Sequence, residues 1–114
     1  MARILLLIVL GLTACSKGAE ADLPYIGQAR SLAAEWALVN GQASQGKLTG
    51  TYTQVMRKDL REQLQTTSKS LAQPDSDYGG EIRAILKLPD DASSQQLRAL
   101  ADRLKQIEDK LESA

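Results

Sequence analysis

Leu97, Leu100, Leu104, Ile107 and Leu111 recur at steps of three and four. At that period they share one face, so the spacing predicts an amphipathic helix. Asp90-Asp91-Ala92-Ser93 opens it. Asp91 or Ser93 can cap the first turn, and Ser93 has Gln96 at the spacing of a capping box. On the outer side Arg98 and Asp102, and Lys105 and Asp109, set opposite charges four apart. Such pairs add a few tenths of a kcal/mol, so the apolar stripe decides the helix and the pairs support it.

The same period marks two further helices. Tyr25, Ala29, Leu32, Trp36 and Val39 step by four and three, with Ile26, Ala33 and Ala37 widening the stripe. This helix is expected to start near Leu23-Pro24, since proline is tolerated in a first turn. It continues, weakened at Asn40-Gly41, toward a break at Gly46 to Gly50. Thr49 or Thr51 caps the next helix. Tyr52, Val55, Met56, Leu60, Leu64, Thr67 and Leu71 mark its apolar face, and Gln73-Pro74 ends it. After the turn Pro74 to Asp77, a short helix from about Tyr78 to Leu88 carries Ile82, Ile85 and Leu86 and stops at Pro89. The expected architecture is all-α: an up-and-down bundle of three longer helices and one short helix, joined by tight turns.

The apolar run Ile4 to Leu12 is too short to span a bilayer, which takes roughly 20 residues. It follows Arg3 and ends in Leu12-Thr13-Ala14-Cys15. A basic start, a short apolar stretch and small residues make the layout of a secretory signal. Closing on cysteine, it resembles a bacterial lipoprotein signal with its lipobox. The resemblance covers residues 1–16 only. It implies cleavage before Cys15, a thioether-linked diacylglycerol on that residue and an acylated (palmitate-type) amino group. Membrane attachment would then run through Cys15. Ser16, where an aspartate resembles an inner-membrane retention signal, implies the periplasmic side of an outer membrane if the host has one. The expected divisions are a signal peptide at 1–14, the lipidated Cys15 with a flexible polar tether to residue 22, and a helical bundle at 23–114.

Composition narrows the chemistry. Removing Arg3 with the signal leaves 13 basic residues against 14 acidic ones. A near-neutral exported chain lacks the concentrated basic face that nucleic acid requires. Histidine is absent and Cys15 is the only cysteine. The commonest general base, the commonest zinc ligand and a free thiol nucleophile are therefore missing. No catalytic, cofactor-binding or metal site is expected. Asp75, Asp77, Asp90 and Asp91 suit turns and caps better than calcium, because Leu86 stands where a hand loop would need its final Glu. Arg57, Lys58 and Arg61, interrupted by Asp59 and Glu62, read as a solvated basic face.

An anchor plus a domain without catalytic vocabulary points to a non-enzymatic binding or accessory factor for a protein assembly in the cell envelope. In size, anchor and helicity it resembles the helical pilotin lipoproteins that serve secretins. Two alternatives stand beside it: an exclusion or immunity lipoprotein against phage, plasmid or toxin, and a structural lipoprotein that self-associates through Leu97 to Leu111. Tyr25 and Tyr78, near helix starts, are the candidate contact residues.

Overall fold

Residues 18–114 are described by a computed structural model, and among them the chain is all-helical. The helices are α1 (Gly18–Ser44), α2 (Gly50–Lys69), α3 (Asp77–Leu86) and α4 (Ser94–Glu112). Three are long and one is short, as the periodicity predicts. The expected signal and Cys15 lie outside the described residues.

Helix starts follow local chemistry. Thr49, in extended conformation, accepts from the amide of Tyr52 and caps α2. Ser93 accepts from Gln96 and caps α4. Ser76 accepts from Gly79, so α3 begins one residue before Tyr78, and it ends at Leu86 rather than Leu88. Each such cap satisfies an amide that has no partner inside its helix and is worth about 1 kcal/mol. At the end of α1 the amide of Lys47 bonds the Gln42 carbonyl and that of Gly46 bonds the Ala43 carbonyl. This pairing requires a left-handed residue, and Gly46 supplies it at φ 71°.

The start of α1 departs from expectation. The stretch Gly18 to Asp22, anticipated as part of a flexible tether, forms the first turn and a half of the helix. Pro24 lies inside α1 and removes one helical hydrogen bond. The loss is offset by a tertiary tie at Asp22, described below.

The helices run up, down, up and down. Arg30 meets Glu108 toward one end of α1 and Asn40 meets Ala92 toward the other, so α1 and α4 are antiparallel. Asp22 reaches Ala72 while Arg57 reaches Asn40, so α1 and α2 are antiparallel as well. α1 packs most extensively on α4, then on α2, and α3 bridges α2 and α4. Small residues allow the closest approach: a Cβ at Gly27 would lie 2.6 Å from the Glu108 carboxylate.

The core holds Ile26, Trp36, Leu60, Leu64, Ile82, Ile85, Leu97 and Leu104, all essentially inaccessible to solvent. Burying each large aliphatic side chain contributes about 1.5–3 kcal/mol, which makes this cluster the main source of stability. The α4 stripe lies against the chain's own core: Leu97 and Leu104 are fully buried, and Leu100, Ile107 and Leu111 are partly so. No described helix is long and apolar enough to cross a membrane.

Candidate binding surface

The stripe of α1 ends in a polar residue at each extremity. Asp22, Ile26, Ala29, Ala33, Trp36 and Asn40 step by four and three, and all six are buried. At this spacing Asp22 and Asn40 point into the same interior as the apolar residues between them. Each binds backbone that no helix satisfies. The carboxylate of Asp22 accepts from the amides of Ala72 and Gln73 at 2.7 and 2.9 Å. The amide of Asn40 donates to the carbonyls of Asp90 and Ala92 at 3.0 and 2.7 Å. An acceptor side chain thus closes one end of the bundle and a donor side chain closes the other.

At the Asp22 end, Tyr78 donates its hydroxyl proton to Asp22 Oδ2 at 2.6 Å. Burial pushes the Tyr78 phenol above its ordinary value, and the adjoining Asp22 adds to the rise. Tyr78 is an internal residue, 3% exposed, which leaves this candidate contact residue almost no surface for a partner. Tyr25 is half-buried against the core edge. A flexible reading of residues 18–22 hid Asp22. The signal available was its position four residues before Ile26 and seven before Ala29.

The Asn40 end is built around the α3–α4 connection. Arg61 Nη1 donates to the Leu86 carbonyl at 2.6 Å, and Nη2 donates to the Leu88 carbonyl at 2.9 Å and to Asp90 Oδ1 at 2.8 Å. Its guanidinium carbon stands 4.9 Å from the centroid of the Trp36 ring. Trp36 Nε1 donates to the Asp90 carbonyl at 3.1 Å. Every second carbonyl from Leu86 to Ala92 is accordingly held by a side chain of α1 or α2. Charge-assisted bonds to carbonyls are among the stronger neutral-acceptor bonds, and stacking on Trp36 adds about 0.5–2 kcal/mol. The Asp90 side chain is 68% exposed, so its ion pair with Arg61 adds little beside the carbonyl bonds.

Two surface grooves open at this end. One, of about 430 Å³, is lined by Gln54, Arg57, Lys58, Arg61 and Asp90. The other, of about 530 Å³, includes Asn40, Ser44, Arg57, Asp91, Ala92 and Gln95, with Asp91 its one carboxylate. Arg57 belongs to both. Its Nε donates to Asn40 Oδ1 at 2.8 Å.

On α2 the buried face is narrower than the sequence suggests. Thr53, Leu60, Leu64 and Thr67 point inward, whereas Tyr52 and Val55, expected in the core, are 51% and 60% exposed. Val55 stands five residues before Leu60, about 140° around the axis, which turns it outward. On α4, Glu108, Asp109 and Glu112 bring carboxylate oxygens within 4.8 Å of one another, but Glu108 is engaged by Arg30 at 3.0 Å. Comparison with protein-family models, curated proteins and solved structures returns no match.

Proposed function

We propose that this chain is a lipid-anchored, periplasm-facing helical protein that acts by binding a protein of an envelope assembly, without catalysing a reaction. The observation that carries the reading is Leu12-Thr13-Ala14-Cys15 at the end of a short apolar run, upstream of a single helical bundle. Several acyl chains on Cys15, at about 0.8 kcal/mol per buried methylene, hold a protein of this size firmly on a bilayer. Helix α1 starts only three residues beyond Cys15. The Asp22 end of the bundle then faces the membrane, and the Asn40 end faces away from it. On this reading both grooves and the half-exposed Tyr52 and Val55 face away from the membrane, toward a partner. For the self-associating alternative, Leu97 and Leu104 are committed to the core and only the partly buried Leu100, Ile107 and Leu111 of that stripe remain to meet a second copy.

Cys15→Ser tests the anchor. The wild-type protein should label with palmitate and fractionate with membranes, and the variant should do neither. A variant that fractionates as wild type does would refute the reading.

A further inference from the structure

We infer that the edge of α2 at the Asn40 end, centred on Arg57 and Lys58, is a docking site for an acidic segment of a partner protein. The inference deepens the binding role proposed above and rests on it.

Charge is the first support. The chain is neutral overall, yet no carboxylate occurs between Glu35 and Asp59. Lys47, Arg57 and Lys58 fall in that interval, and Arg61 follows it. The first turn of α2 has no acidic residue. The fold gathers Arg57, Lys58 and Arg61 beside Gln54 in one groove, where Asp90 is the only carboxylate and already faces Arg61.

Geometry is the second support. Arg61 is occupied by three internal acceptors, and Arg57 is not. Asn40 holds Arg57 at Nε, and Asn40 is itself held by two carbonyls. Neither terminal nitrogen of Arg57 has a hydrogen-bond partner within the described residues. The guanidinium is thus oriented in advance while its two-pronged edge stays open. That is the arrangement that binds a carboxylate through two parallel bonds, with part of the ordering cost already met by the fold. Lys58 adds a mobile cation one residue on, and it is exposed.

The occupant follows from the rest of the surface. Tyr52, Val55 and Lys58 step by three along α2, so Tyr52 and Val55 offer half-exposed apolar contact on the Lys58 side of the site. A segment that mixes carboxylates with apolar side chains matches both features. An anionic membrane fits less well. Asp22 and Asn40 are 18 residues apart on α1, which is about 27 Å of helix, and with attachment through Cys15 as proposed above the grooves lie at the end remote from the membrane.

The test uses the full-length lipidated protein in neutral detergent micelles. The probe is a fluorescent peptide of about twelve alternating Glu and Leu residues, and its counterpart carries Lys for each Glu. Saturable binding of the acidic peptide, weakening as salt is raised, is expected. Arg57→Gln and Lys58→Glu should each weaken it about tenfold or more. Arg98→Glu, on the outer face of α4, should not. Lys58 makes no hydrogen bond or ion pair within the described residues, so Lys58→Glu keeps the test valid if Arg57→Gln loosens the fold. Absence of saturable binding, equal binding by Lys58→Glu, or equal binding of the basic peptide overturns the inference. So does Lys58-dependent binding of the Cys15→Ser protein to phosphatidylglycerol vesicles, which would make lipid the occupant. Cys15→Ser should keep its peptide affinity, so failure of the anchor and failure of the docking site read out separately.

Discussion

Tyr78→Phe isolates one hydrogen bond in the interior. The ring remains buried and only the hydroxyl is lost, leaving Asp22 with the two backbone amides of Ala72 and Gln73. A hydrogen bond to an ionised acceptor is worth about 1.5–3 kcal/mol net. For a domain of this size each kcal/mol moves the midpoint by about 4–8 °C, so a fall on the order of 10 °C at neutral pH is expected. The pH dependence gives a second signature. The phenol is raised above 10.0 in the folded protein, so its contribution is complete below about pH 10. As pH rises further, the unfolded chain loses the proton first and the contribution fades through the folded pKa. The gap between wild type and Tyr78→Phe should therefore narrow above about pH 10. Thermal unfolding by far-UV circular dichroism measures the midpoint. Emission from Trp36, at the opposite end, checks that the whole bundle unfolds together. Equal midpoints at neutral pH, or a gap that stays constant into strong alkali, would refute the assignment.

Asn40→Leu strips the Asp90 and Ala92 carbonyls and Arg57 Nε of their shared partner and should lower stability by about 2–4 kcal/mol in urea unfolding. Gly79→Ala would drive a Cβ against the Pro74 carbonyl oxygen, where backbone has to move, and a loss of about 1–3 kcal/mol is expected in the same assay. Leu104→Ala, at a fully buried position on α4, should lose about 2–5 kcal/mol, and the thermal midpoint reports it.

The long helices are legible because their apolar residues repeat at the helical period and their caps are local. Thr49 and Ser93 act within three residues of themselves, so a linear reading finds them. Asp22 and Asn40 escape it for the opposite reason. Each looks like an interruption of an apolar stripe, and each bonds to backbone 50 or more residues away. Backbone partners leave no mark in a sequence, because every residue type has the same amide and carbonyl. The early start of α1 escapes for a related reason. Gly18 to Asp22 is short and shows no apolar stripe of its own, and so short a helical turn is stable only when tertiary contact adds to it. Tyr52 and Val55 were expected inside because apolar residues three apart suit a stripe; the width of the stripe is set by its neighbours α1 and α3. The basic cluster at Arg57, Lys58 and Arg61 is visible in the sequence. That one arginine is occupied and the other open depends on the α3–α4 connection.

That connection has a consequence for how the chain can change. Surface loops ordinarily accept insertions. Here the donors sit on rigid helices and meet alternate carbonyls at 86, 88, 90 and 92. One added residue would displace the later carbonyls by about 3.5 Å, the reach of a hydrogen bond, and put them out of register with Trp36 and Asn40. The segment behaves as a ruler: its side chain at Asp90 can vary, and its length cannot.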